Sequence, residues 1–223
     1  MTPRRRRLEK LYHDTITGYM RDRPEQLLEV TDHIVADGEG QPRSWRPGRG
    51  IPVKPQQPGS VSVAPGVRLQ WHNVVPGRYH TLLRITPTNQ EAYAQDPRFR
   101  NVDDQDRRYA TIGAGPVWGS LVSDTNRESD IEPHEPGIPI LPPGDMSEDA
   151  FINLMLKTDR DYLDDLNYDF LPHAAVPYRG IGPSYNSNSY IAGLLRAVGV
   201  GAPELPVSTP GYRLPVPTRR FAR

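Results

Sequence analysis

No cysteine occurs among the 223 residues, which excludes a disulfide framework, a thiolate metal site and a cysteine nucleophile. Lysine is scarce as well, 3 residues against 24 Arg. Neither sign of charge dominates. With 27 bases against 27 acids the chain has no global field for nucleic acid or an anionic membrane. Apolar runs fall well short of the ~18–20 residues a membrane span needs, so no transmembrane segment is expected. The basic cluster Arg4–Arg7 leads into Leu8-Glu9-Lys10 rather than an apolar segment, so no signal peptide is expected either. Apolar residues make up only 36%. Proline is what the chain has in excess: 25 in 223 residues, about twice the average usage of ~5%. Such a composition predicts a modest core wrapped in ordered loops.

Patterning divides the chain into four parts. Residues 1–36 predict a helical arm: Leu8, Leu11, Tyr12 and Tyr19, then Leu27, Leu28 and Ile34, recur at three- and four-residue spacing, with a break at Pro24. Residues 37–59 are Pro/Gly-rich and read as a stiff linker. Residues 60–201 hold the expected core. Strands are expected at 60–71 and at Tyr79–Thr86, then at Arg108–Ile112, with one more over Val117–Val122. Residues 89–108 read as a surface excursion and 124–146 as loop. Ser147 is placed to cap a helix running to about Asp165, and a second helix starts near Asn186 and ends at Gly199. Residues 202–223 read as a proline-punctuated tail on the surface. The expected fold class is α+β, a small antiparallel sheet packed against helices.

Two places suggest chemistry. His80 stands near the start of an otherwise apolar strand, and Tyr185-Asn186-Ser187-Asn188-Ser189-Tyr190 opens an amphipathic helix. Unpaired backbone N–H groups and the positive end of the helix dipole suit a helix start to receive an oxyanion beside a hydroxyl. A strand histidine could take the hydroxyl proton. Capping alone also explains Asn and Ser at a helix start, so that alternative stays open. In the acidic stretch Asp124, Glu128, Asp130, Glu132, His134 and Glu135, the spacing fits neither an EF-hand loop nor a His-x-x-x-His pair. No metal or other cofactor is expected. His72, Asp169 and His173 are further polar residues that could approach a cleft, each more readily explained as structural.

The order of these motifs resembles the circularly permuted papain-like superfamily, including permuted NlpC/P60 amidases and lecithin:retinol-acyltransferase-like proteins. Arg78-Tyr79-His80-Thr81-Leu82-Leu83-Arg84-Ile85 is similar to the family's histidine strand. Asn186-Ser187-Asn188-Ser189-Tyr190 is similar to its nucleophile helix, with Ser187 where the family carries cysteine. The likeness covers roughly residues 60–200 and extends to bacterial toxin and secretion-system effector domains. It implies a hydrolase or acyltransferase that attacks an amide or acyl ester through Ser187 and His80. The substrate would be a peptide, peptidoglycan or a lipid. The adjacent strand would orient the histidine, which points to Thr111. It also implies delivery outside the producing cell without a signal peptide, with an immunity protein or secretion carrier as partner. A serine keeps its proton at rest, so this variant needs a well-oriented neutral His80. Otherwise it is an inactive relative or an engineered replacement of cysteine. The competing expectation is a non-catalytic adaptor of a secretion or tail-like assembly.

Overall fold

The computed structural model describes residues 64–131, 137–174 and 182–222, all within one unit spanning Ser60–Arg223. The expected helical arm and linker, 1–36 and 37–59, lie outside the described residues. What is described is a mixed α/β unit: an antiparallel sheet of seven strands and two α-helices. The strands are β1 (Gly66–Val75), β2 (Arg78–Thr86), β3 (Asn101–Val102), β4 (Arg108–Val117), β5 (Ser120–Thr125), β6 (Ile138–Ile140) and β7 (Leu166–Asn167). Their order is β6-β1-β2-β4-β5-β7, with β3 on β4. Helices α1 (Glu148–Arg160) and α2 (Ser187–Ala197) complete the unit. Among the described residues no helix is long and apolar enough to cross a membrane.

Strand pairing converts alternation along the chain into rows across the sheet. Ile140, Val67, Ile85 and Ala110 align in one row, and Ile138, Leu69, Leu83 and Ile112 in the next. Successive side chains on a strand face opposite sides, so these rows form one apolar face. Helix α2, buried from Ser187 to Leu195, packs on β2 and β4 with Ile191, Leu194 and Leu195 in the core. Fully burying one such aliphatic side chain contributes about 1.5–3 kcal/mol.

Two expectations of surface structure are corrected. The C-terminal tail belongs to the core: Phe221 packs on Tyr162 and Tyr190 at ring-centroid distances of 5.1 and 5.4 Å, and Tyr212 and Val216 are buried. Gly193 permits this, because a Cβ there would stand 2.5 Å from the Val216 carbonyl oxygen. Proline spacing marks the tail's turns and hides that every few residues an apolar side chain turns inward. The 89–108 excursion likewise buries Tyr93 and Phe99 against each other through two short 3-10 turns.

Ser147 caps α1 as expected, its hydroxyl accepting from Ala150 N, and Lys157 and Arg160 sit favourably in the last turn. At that end Asp159 is buried and accepts from the Tyr190 hydroxyl. Burial pushes its carboxyl from 3.8 up to about 6, against the hydrogen bond from Tyr190. An acid whose folded pKa is raised costs nothing below pH 3.8, where both states are protonated. It costs increasingly up to about pH 6 and constantly above, here roughly 3 kcal/mol at most. Asp159→Asn keeps the acceptor for Tyr190 and removes the charge. It is expected to raise the urea midpoint at neutral pH and to lose that advantage below pH 3.8. A lower midpoint at both pH values would contradict this account.

Candidate active site

The site forms where β2 and β4 part. Their ladder ends at Leu83↔Ile112, so β2 is without β4 beyond it, at Tyr79–Leu82. The start of α2 fills the vacated edge. Asn188 Oδ1 accepts from Thr81 N at 2.8 Å and Thr81 Oγ1 at 2.9 Å, and its Nδ2 donates to Tyr79 O at 2.9 Å and Pro210 O at 2.9 Å. A carboxamide offers the donor and acceptor of a peptide group, and here it pairs with β2 on both sides of His80. That bond set brings Ser187, one residue earlier, onto the imidazole: His80 Nδ1 and Ser187 Oγ are 2.8 Å apart, across 107 residues of sequence.

Each side chain of the Asn-Ser-Asn-Ser run therefore has its own partner. Asn186, extended at φ −138°, caps α2 by accepting from Ser189 N, and its Nδ2 donates to Phe170 O and Pro210 O. Ser189 Oγ donates to Gly211 O at 3.0 Å. Gly211 has φ +84° and no room for a Cβ, which would meet Asn186 Oδ1 at 2.5 Å. Capping is thus one function of the run, and it is served by Asn186. Beside Ser187 the first amides of α2 lack intrahelical acceptors, as at any helix start.

On the far side of the imidazole stands Asp130. The chain leaves β5 through Asn126, at φ 58°, whose main chain and side chain bond Thr111. A 3-10 turn, Glu128–Asp130, then carries Asp130 back over the sheet. Gly113 makes the space: a Cβ there would lie 2.3 Å from Asp130 Oδ2. Asp130 Oδ1 accepts from Ser129 Oγ at 3.1 Å and faces His72 Nε2 at 3.2 Å and His80 Nε2 at 3.4 Å. Hairpin register decides the place of His72. An undisturbed two-residue turn at Pro76-Gly77 would continue the Val75↔Arg78 pair to put position 72 opposite 81. The register shift between Asn73 and Val75 instead sets His72 against His80, with ring centroids 5.0 Å apart.

Electrostatics follow from burial. Desolvation lowers the pKa of His80 below 6.5, only partly offset by Asp130, so the ring is neutral at pH 7. Burial alone would raise the Asp130 carboxyl. Attraction to His80, the hydrogen bond from His72 and the nearby Arg127 outweigh it and hold the group well below the ordinary carboxylate range. A carboxylate at Nε2 favours the tautomer with its proton on Nε2, which leaves the Nδ1 lone pair to accept from the Ser187 hydroxyl.

Thr111, expected to hold the second imidazole nitrogen, is corrected. Register places it opposite Arg84, beyond the end of the stretch that carries His80, and its buried hydroxyl has no hydrogen-bond partner. Asp130 stands there instead. In the sequence it belongs to the acidic 124–135 stretch, whose spacing fits no metal motif and of which Glu132, His134 and Glu135 lie outside the described residues. Of the other polar residues singled out, His72 joins the site. Asp169 instead accepts from Leu171 N, and His173 Nδ1 bonds Ala174 O. No sequence signal marked Asp130, which is 58 residues from His72. Asn188 was visible in the run but indistinguishable from a capping residue. Set against known proteins, the chain matches no family model, no curated protein and no solved structure.

Proposed function

We propose that this protein is a serine hydrolase or acyltransferase acting on an amide or acyl ester, with Ser187 as nucleophile, His80 as base and Asp130 as the group that orients His80. The 2.8 Å approach of Ser187 Oγ to Nδ1 of a buried, neutral His80 carries the reading. Ser187 Oγ attacks the carbonyl carbon as its proton passes to Nδ1, and the imidazolium so formed is stabilised by Asp130 at Nε2. The amides opening α2 receive the oxyanion. Collapse of the tetrahedral intermediate expels the leaving group, which takes the proton back from Nδ1. Water, deprotonated by the same nitrogen, then releases the acyl group and restores the hydroxyl. The papain-like resemblance supports this reading, and with it an effector whose substrate is a peptide, peptidoglycan or a lipid.

A second reading, a non-catalytic adaptor, draws on the burial of the pair: Ser187 is 7% and His80 3% exposed. A fluorophosphonate probe separates the two. The full chain is expected to be labelled at Ser187, and Ser187→Ala to lose the label. The second-order labelling rate is expected to be flat above pH 6.5 and to fall only below it, because the base must be neutral and its pKa lies under that value. Labelling that persists in Ser187→Ala removes the proposed nucleophile, and no labelling at any pH favours the adaptor.

A further inference from the structure

The hairpin shift and the Asp130 turn bring together His72, His80 and Asp130, each offering one donor atom within 4.8 Å of the others. From Asp130 Oδ1 the two Nε2 nitrogens stand 3.2 and 3.4 Å away. Donors bound at about 2.0–2.2 Å to a tetrahedral ion are themselves about 3.3–3.6 Å apart. Hydrogen bonding leaves this cluster incomplete. His80 Nε2 and Asp130 Oδ2 are both buried without a hydrogen-bond partner, an arrangement that costs free energy. His72, with 19% of its side chain exposed, forms the solvent side of the cluster.

From these distances and the two unpaired buried atoms we infer that His72, His80 and Asp130 form a zinc site whose occupation switches Ser187 off. Two imidazoles and one carboxylate make a three-ligand nitrogen/oxygen set that leaves a fourth position for water. Arg127, whose charge reaches both His80 and Asp130, opposes the ion. Zinc takes the Nε2 lone pair of His80. A neutral ring must then carry its proton on Nδ1, which donates to Ser187 Oγ and can no longer accept from it. The ion thus removes the base without touching the nucleophile. This inhibition rests on the function proposed above, whereas the binding itself does not.

The test uses the full chain, stripped with a chelator and titrated with Co²⁺. The visible bands of four-coordinate cobalt are expected at one equivalent and disappear when Zn²⁺ displaces it. Ser187→Ala is expected to bind cobalt as wild type does, and His72→Ala to bind at least about 100-fold more weakly. Absence of the bands in wild type, or unchanged affinity in His72→Ala, overturns the site. Should His72→Ala not fold, nitrogen NMR of the wild-type imidazoles decides. Zinc is expected to shift Nε2 of His72 and His80, and a response confined to other histidines overturns the assignment. Fluorophosphonate labelling of Ser187 is expected to slow at least about tenfold with zinc and recover on chelation. Labelling indifferent to saturating zinc overturns the inhibition. A metal-free protein that never labels overturns it too, and with it the catalytic reading, while the cobalt bands still report on the site.

Discussion

Asp130→Asn is expected to lower the rate of fluorophosphonate labelling at Ser187 by about 10³–10⁴-fold and, because the folded protein favours the ionised carboxyl, to lower thermal stability as well. The amide oxygen can still accept from Ser129 and His72, so the turn at Glu128–Asp130 keeps its bonds. What changes is the proton on His80. A carboxylate only accepts, so it favours Nε2–H. A carboxamide carries no charge to hold that proton on Nε2 or to stabilise the imidazolium, so the ring proton can move to Nδ1 and turn the base into a donor toward Ser187. Rates and unfolding transitions measured on the same preparations check this. A folded variant that labels within tenfold of wild type would remove Asp130 from the mechanism. Thr111→Val is the matching control, expected to label normally, since its hydroxyl bonds nothing and a methyl group in its place removes an unsatisfied buried oxygen.

Asn188→Ala is expected to cost about 3–5 kcal/mol of stability, the largest loss from any single side chain of the Asn-Ser-Asn-Ser run. Four hydrogen bonds disappear together, and two of them leave main-chain groups of β2 without that partner, the buried Thr81 N and the part-buried Tyr79 O. Because those groups flank His80, the variant is also expected to loosen the 2.8 Å contact with Ser187. Labelling should therefore fall at temperatures where the variant is still folded. Urea unfolding provides the stability measurement. A loss under about 1 kcal/mol would mean that Asn188 is a cap and not a substitute for the missing strand.

How much of this was legible in advance varies with the range of the interaction. Capping by Ser147 and the start of α2 were readable, because a cap bonds an amide two or three residues away. The apolar strand at β2 was readable from its composition, and β4 was readable in part. It runs on to Val117, five residues past the expected end, through Gly113-Ala114-Gly115-Pro116, whose glycines and proline suggest a turn. Strand β6 was missed inside an expected loop, since Ile138-Pro139-Ile140 reads as a turn until it is seen on the edge of β1, where a proline is tolerated. The tail was misread for the converse reason: frequent prolines suggested solvent, while Tyr212, Val216 and Phe221 were turned inward by partners far away in sequence.

At the site, residue chemistry alone singled out His80 and Ser187, because a hydroxyl at a helix start and a histidine on a strand are each distinctive where they stand. Their third partner was beyond reach. Choosing Asp130 over Thr111 depended on where the β2–β4 ladder ends, on a left-handed Asn126 and on the missing Cβ at Gly113. Whether His72 faces His80 or Thr81 depended on a single-residue slip in one hairpin. Local sequence determines what bonds within a few residues, because those neighbours are present in every conformation of the chain. Which distant groups meet is decided by register and by the packing of α2 on the sheet. A shift of one residue there turns a side chain to the opposite face at no visible change in the sequence pattern.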